Sequence, residues 1–229
     1  MARPTITRIL ETLEARYGAL AAAAPADPYE FLIWWHSGYP ASEARCEKGW
    51  QSLKHHLGIA PRQLLAAPTA KLTNALKAGG MVPELRAARL KDIAARVQAE
   101  YSGDLGAALA KLSVPQARKA LKSFPGIGNP GADRILLFAR LAPVAAVPSA
   151  CPYVLVRIAD DAQDDKYPAQ YAAAQRMLDE LPASFDARIR AYLLINRHAG
   201  ELCKRAHPAC GRCPLQAACI FAKRANNPQ

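Results

Sequence analysis

A chain of 229 residues holds one large domain or two modest ones that share a core, and 51% hydrophobic against 21% charged residues excludes a disordered chain. Thirty Lys and Arg against 19 Asp and Glu give a formal charge of +11, scattered along the chain, which favours a polyanion partner, most commonly nucleic acid, although a basic surface also serves solubility alone. No apolar run approaches the roughly 20 residues of a membrane span and Met1-Ala2-Arg3-Pro4 lacks a signal-peptide core, so the expectation is a cytoplasmic protein with no membrane partner.

Alanine is abundant and β-branched alternation rare, so the elements are expected to be helices. In the first, Ile6, Ile9, Leu10 and Leu13 stand at helical spacing ahead of the linker "AAAAPADP". "YEFLIWWHSGYPASEARCEKGWQSLKHHLG" reads as a buried helix, a turn at Gly38-Tyr39-Pro40 and a second helix ended by Gly58. Apolar stripes follow over residues 61–80 and 83–101. Further on, "DDAQDDKYPAQY" is a polar, acidic loop before the helix "AQRMLDEL", and "SFDARIRAYLLINRHAGELC" is a last long helix with Ser184 as its N-cap. No fixed-period repeat or low-complexity segment interrupts the chain.

That last helix runs into "CKRAHPACGRCPLQAAC", where Cys203, Cys210, Cys213 and Cys219 follow the pattern C-x6-C-x2-C-x5-C. In a cytosolic compartment cysteines are better read as metal ligands or free thiols than as disulfides. Four thiolates on a Pro- and Gly-bearing loop can converge on one centre, which a regular helix carrying all four could not achieve. Sulfur ligation suits either Zn²⁺ or a [4Fe-4S] cluster, and the packing of three cysteines within ten residues tilts the spacing towards iron–sulfur. Cys46 and Cys151 lie outside the pattern and read as packed thiols.

"KSFPGIGNPGADRILLF" is the second motif. Gly126 and Gly128 permit backbone angles closed to other residues, a helix starts at Asn129 or Pro130, and Ile127 is placed to anchor the turn in the core. The first-turn N–H groups of that helix then lie at the positive end of its dipole, where a phosphate is favoured. A G-x-G turn alone also serves as a plain helix connection. In the P-G-I-G form, together with the cysteine loop, it is specific.

Together these motifs resemble the helix-hairpin-helix DNA glycosylase superfamily, in particular its iron–sulfur branch with endonuclease III and the adenine mismatch glycosylase. The family hairpin L-P-G-V-G-x-K-T-A is matched by Phe124 to Ala132, and its cluster loop is matched without a gap. The resemblance implies an all-α fold of two lobes with DNA across the cleft between them. One lobe is a six-helix barrel over residues 28–145, with the helix-hairpin-helix at about 114–140; the other joins residues 1–27 to 146–229 and carries the cluster loop 203–219. It further implies a monomer, a [4Fe-4S] cofactor, double-stranded DNA as partner, a nucleoid location and a place in base excision repair. The DNA contacts implied are Tyr39 at the wedge position, Lys122, Pro125, Gly126, Ile127, Gly128 and Asn129 at the hairpin, and Lys204, Arg205 and Arg212 on the cluster loop, with Lys223 and Arg224 beyond it. Stacking of Tyr39 on an exposed base would contribute ~1–3 kcal/mol, and packing of its ring on Trp34 or Trp35 is the alternative.

The chain departs from the family where the chemistry lies. Pro130 stands where bifunctional members carry the Schiff-base lysine, and either Pro148 or Pro152 stands where the catalytic aspartate is expected, depending on how "AAVPSACPYVLVRI" is anchored. Proline offers no acid, base or amine, so AP-lyase activity is not expected. Asp133, Asp160 and Tyr153 are the candidates for a rewired pocket, with Ser149 and His36 behind them. Two readings stay open: a monofunctional glycosylase with a changed pocket, and a catalytically silent protein that recognises lesions or DNA structures.

Overall fold

Short polar side chains begin several of the helices. Thr5, Asp27, Asp104 and Ser184 each accept the N–H of the residue three further on, at 3.3, 2.8, 2.8 and 3.2 Å, so one of the four N–H groups a helix start leaves unbonded is satisfied locally. The computed structural model describes residues 3–159 and 166–226. Over them run α1 (Ile6–Tyr17), α2 (Pro28–His36), α3 (Glu43–His56), α4 (Pro61–Ala66), α5 (Thr69–Leu76), α6 (Pro83–Glu100), α7 (Leu105–Ala110), α8 (Val114–Lys122), α9 (Asn129–Phe138), α10 (Tyr153–Ala159), α11 (Tyr167–Asp179), α12 (Phe185–Glu201) and α13 (Ile220–Asn226). No strand occurs among the described residues, and none of their helices is long and apolar enough to cross a membrane.

Prolines shape the helix boundaries. Pro28, Pro61, Pro83, Pro115, Pro130 and Pro168 sit in first turns, where a missing N–H breaks no helical bond. Pro68 divides the stripe read over 61–80 into α4 and α5, because the residue before a proline is pushed out of the helical region; Ala67 has ψ 132°. The helix read from "AQRMLDEL" begins earlier, at Tyr167. Most of the acidic loop ahead of it, with Asp160 and Asp161, lies outside the described residues.

The chain divides into two compact units, residues 22–141 and residues 1–21 with 142–229. The sequence reading puts the boundaries at 28 and 145. Residues 142–145 belong instead with the second unit, because Ala145 packs in its core and Arg188 of α12 donates to the Pro143 carbonyl.

In the unit of residues 22–141, α2 is the centre, with Phe31, Leu32, Ile33 and Trp34 no more than 2% exposed. It packs on α3, α6, α7 and α9, and the unit holds eight α-helices among its described residues where the resemblance implies six. The end of α2 docks so closely that a Cβ at Gly49 or Gly79 would overlap the Ser37 carbonyl oxygen. That carbonyl accepts from the Arg86 guanidinium, which also donates to the carbonyls of Met81 (3.0 Å), Leu76 (2.9 Å) and Gly80 (2.6 Å). Arg86 is 1% exposed, so one buried cation ties the turn after α2 to the segment between α5 and α6.

The second unit is built on α1, α10, α11, α12 and α13. Ile9, Leu10 and Leu13 of α1 meet Val154, Leu155 and Ile158 of α10 and Ala191, Leu194 and Ile195 of α12 in one buried cluster. Arg190 grips Glu14 through two N–H···O bonds of 2.9 and 2.7 Å, which fixes α1 against α12. Ser184 caps α12 as read from the sequence.

Candidate nucleic-acid interface and cysteine loop

The hairpin between α8 and α9 is anchored from below and open above. Phe124 and Ile127 are buried at 2% and 6%, while Lys122, Gly126, Gly128 and Asn129 are exposed and Pro125 is half-buried. Gly126 takes φ +65°, a left-handed angle that a side chain disfavours; Gly128, at φ −94° and ψ −172°, is extended backbone that any residue adopts. α9 then begins at Asn129, as the sequence reading has it. Ala132 N–H bonds the Gly128 carbonyl at 3.0 Å, and the helix start leaves the N–H groups of Asn129 and Gly131 without an intrahelical acceptor. Pro130 has no N–H to add. The turn therefore presents two donors at the positive end of a helix dipole.

Two side chains hold this turn in place. Arg96 of α6 donates to the carbonyl and hydroxyl of Ser123, both at 2.7 Å, and its guanidinium lies 4.5 Å from the centre of the Phe124 ring. His36, the last residue of α2 and fully buried, stands with Nε2 2.8 Å from the Pro125 carbonyl oxygen. A carbonyl only accepts, so Nε2 carries the proton. Burial lowers the His36 pKa to about 4, against the opposing pull of that hydrogen bond and with help from the Arg89 charge, so the ring is neutral at ordinary pH. Its Nδ1 is buried without a hydrogen-bond partner among the described residues. His36 thus supports the hairpin from beneath.

Asp133, a candidate from the sequence, is 2% exposed and accepts from Arg118 Nε at 2.7 Å. Its carboxylate is committed to joining α8 to α9. Tyr39 is half-buried, its ring stacked on Trp35 with centroids 4.5 Å apart, the packing alternative weighed in the sequence. Near it along the Arg86 tie lies an apolar tip that the sequence reading missed. Met81 and Val82 are 78% and 51% exposed, and Val82 takes φ +47°, a left-handed angle rare for a β-branched residue. The signal available was "GGMVPE": two glycines, two apolar residues and a helix-starting proline.

In the second unit, residues 142–152 lead to α10 through a turn in which the Cys151 N–H bonds the Pro148 carbonyl at 3.0 Å. Pro148 and Pro152 are buried; Ser149 and Ala150 form the exposed tip. Residues 142–159 contain no Asp or Glu at all, and the next acid, Asp160, lies outside the described residues. Tyr153 is 6% exposed and its hydroxyl donates to the Cys203 carbonyl at 3.0 Å, so its polar atom is used to hold the cysteine loop.

That loop is folded around a small cavity. Cys203, Cys210, Cys213 and Cys219 all line it, together with Arg157 and His198, and its volume is about 20 Å³. The loop starts where Leu202 and Cys203 N–H groups both bond the His198 carbonyl, and closes through Ala209 N–H to the Leu202 carbonyl at 2.8 Å. Arg157 organises its rim: it donates to the carbonyls of Lys204 (2.9 Å) and Arg205 (2.8 Å), approaches Cys203 Sγ at 3.9 Å, and lies over the rings of Tyr153 and Phe221 at 4.6 Å each. Among the described residues no three His, Cys, Asp or Glu side chains are grouped closely enough to hold a single metal ion. Burial pushes the Cys203 thiol up to about 11 and raises those of Cys213 and Cys219. Buried thiols of this kind ionise when a cationic centre offsets the loss of water. Lys204, Arg205 and Arg212 are exposed on the same loop, the Arg205 guanidinium 4.7 Å from the Tyr153 ring centre. Cys46 and Cys151 are packed thiols, pushed by burial up to about 11 and about 12.

The chain matches no family model and no curated protein. Solved structures do match over nearly its whole length. An endonuclease III trapped as a covalent intermediate with DNA superposes with a TM-score of 0.74 at 21% identity, covering 98% of this chain and 100% of that one. A thermostable thymine-DNA glycosylase gives 0.76 at 17% identity over 96% and 97% of the two chains. A 3-methyladenine DNA glycosylase of H. pylori, bound to 1,N6-ethenoadenine, gives 0.63 at 16% over 86% and 98%. The described helices, the hairpin between α8 and α9 and these superpositions give the chain the all-α fold of the helix-hairpin-helix DNA glycosylases.

Proposed function

We propose that this protein binds double-stranded DNA and recognises damaged or mispaired sites in it, within base excision repair, without a Schiff-base lyase step of its own. The observation that carries the reading is the hairpin: an exposed turn over Gly126–Asn129, with donors on Asn129 and Gly131, clamped by Arg96 and His36. Neutral N–H groups at a helix start take a backbone phosphate without regard to sequence. Lys122 beside the hairpin and Lys204, Arg205 and Arg212 on the cysteine loop supply point charges for further phosphates. The exposed Met81–Val82 tip, with Tyr39 across the Arg86 tie, is the apolar surface suited to enter a weakened base step.

The same residues argue against the covalent route. A lyase amine at position 130 is replaced by a ring nitrogen that is part of the backbone, and the acid slot holds Pro148 or Pro152. With Asp133 bound to Arg118 and Tyr153 bound to the Cys203 carbonyl, neither candidate presents a ready group for sugar chemistry.

Cys203, Cys210, Cys213 and Cys219 fit a [4Fe-4S] cluster: four thiols, the ligand set such a cluster takes, line one cavity, whereas zinc draws its four sulfurs to about 2.3 Å from a single point. When bound, the cluster would tie α12 to α13 and supply a redox-capable centre. Iron and sulfide analysis tests this, with about four iron atoms per chain and a shoulder near ~400 nm expected; a colourless protein with one zinc contradicts it. Binding to a fluorescent duplex, titrated with salt, tests the function. Affinity that falls steeply with salt supports the reading, and no duplex binding from the metal-loaded protein removes it.

A further inference from the structure

His198 has no part in the DNA contacts above, yet it is fully buried and both of its ring nitrogens are engaged. Nδ1 lies 3.0 Å from the hydroxyl of Tyr17, the last residue of α1, and Nε2 lies 3.7 Å from the sulfur of Cys213. Three residues separated by 181 and 15 positions along the chain thus form one line from the N-terminal helix to the cysteine loop. Arg190 and Glu14 hold the two helices of that line together. The backbone of His198 also starts the loop, since its carbonyl takes the N–H groups of Leu202 and Cys203.

A neutral imidazole can place its proton in two ways here. With the proton on Nδ1, the ring donates to the Tyr17 oxygen and turns an Nε2 lone pair on the sulfur. With the proton on Nε2, the Tyr17 hydroxyl donates to Nδ1 and the ring aims an N–H at the sulfur. A cysteine that ligates a metal is a thiolate, so the first arrangement sets a lone pair against negative charge and the second gives a charge-assisted N–H···S contact. Ligation at Cys213 therefore selects the second arrangement. Fixing the second nitrogen of a histidine through a neighbour's hydrogen bond is the usual way its tautomer is set.

We infer that Tyr17 and His198 are a positioning pair that holds an N–H on the Cys213 sulfur of the metal-loaded loop, and that this contact raises the reduction potential of the group the four sulfurs hold. The inference rests on the reading of the four cysteines as a cluster site. Its physical basis is that a donor to a ligand sulfur withdraws electron density and favours the more reduced, more negative state. The effect is local to Cys213. Cys203 faces Arg157 at 3.9 Å, and Cys219 Sγ lies 3.3 Å from the Arg157 carbonyl.

The experiment is film voltammetry on anaerobically purified holo-protein, comparing wild type with Tyr17→Phe, His198→Gln and His198→Leu, with iron counted in each. His198→Leu is expected to shift the potential to more negative values. Tyr17→Phe is expected to move it the same way by less, because the ring keeps its place but loses the hydroxyl that fixes its tautomer. His198→Gln, whose amide N–H can reach towards the sulfur, is expected to recover part of the shift. If His198→Leu fails to load iron, Tyr17→Phe carries the comparison. Nitrogen-15 histidine spectra of zinc-loaded wild type read the tautomer directly and are expected to show the proton on Nε2. Equal potentials in iron-loaded wild type and Tyr17→Phe, or a proton on Nδ1, overturn the inference. Wild type that takes up no iron removes the cluster reading instead, and the zinc-state tautomer still decides the pair.

Discussion

Two short segments, residues 124–132 and residues 142–153, differ in what their prolines and polar groups do. In the first, Pro125 offers its carbonyl to His36, Pro130 starts a helix without loss of a bond, and the helix start leaves two N–H groups without an intrahelical acceptor. In the second, Pro148 and Pro152 are buried around a turn whose exposed tip is Ser149 and Ala150, and no carboxylate occurs from 142 to 159. Holding a phosphate asks only for backbone placed at a helix start, which any residue compatible with the turn can provide. Cleaving a base–sugar bond asks for titratable side chains at set points, and proline supplies none. On the proposed reading, the chain keeps backbone suited to a phosphate while prolines stand where the family resemblance expects reacting side chains.

The comparison breaks first at Arg86. This guanidinium bonds the carbonyls of Ser37, Leu76, Gly80 and Met81, and Ser37 directly follows the histidine that supports the hairpin. Arg86→Met leaves those carbonyls buried and unbonded, and should lower stability by about 3–5 kcal/mol in denaturant titration and abolish tight duplex binding. Unchanged stability would remove Arg86 as the tie.

His36 gives the next effect, as a pH dependence. Its pKa is about 4 in the folded chain against an ordinary histidine value of 6.5, so the unfolded chain binds the extra proton first as pH falls. Stability is therefore lost between about pH 6.5 and 4 on acidification, with a His36 share on the order of 3 kcal/mol. His36→Gln, which keeps a donor for Pro125, should flatten that acid limb while duplex affinity at pH 7.5 stays close to wild type. An acid limb of the same slope in the variant would contradict it.

Gly126→Ala sharpens the hairpin side. The left-handed angle disfavours a side chain by roughly 1–2 kcal/mol, and the new Cβ would meet His36 Cε1 at 3.3 Å. Duplex binding should weaken about tenfold in a folded variant, while unaltered affinity takes this turn out of the DNA contact. The smallest effects belong to the cysteine-loop charges. Replacing Lys204 or Arg212 by Ala should weaken every duplex alike and reduce the slope of log affinity against log salt by about 1 each. A sequence-dependent loss would assign them to base recognition instead.

How much of this could be read from residues depends on how local the cause is. The hairpin and the cysteine loop were legible because Gly, Pro and Cys at fixed short spacings force a turn or permit a site, and Ser184 because a cap acts over three residues. Arg86 was not, since on the helix "PELRAARLKDIA" it looks like one more surface cation. His36 and Pro125 lie 89 positions apart, and Tyr17 and His198 lie 181 apart, so their meeting follows only from the packing of helices. The exposed Met81–Val82 tip escaped for the opposite reason: apolar residues read as core until a structure turns them out.

The central claim is tested most directly by single-turnover incubation of metal-loaded protein with duplexes carrying uracil, oxidised or alkylated bases, mismatches and abasic sites, under borohydride, with binding, base release and strand cleavage scored separately. Binding that prefers some of these duplexes, with no base released, no strand cleaved and no trapped covalent adduct, is the predicted result. A borohydride-trapped adduct would contradict it, since it requires an amine at work that Pro130 does not supply.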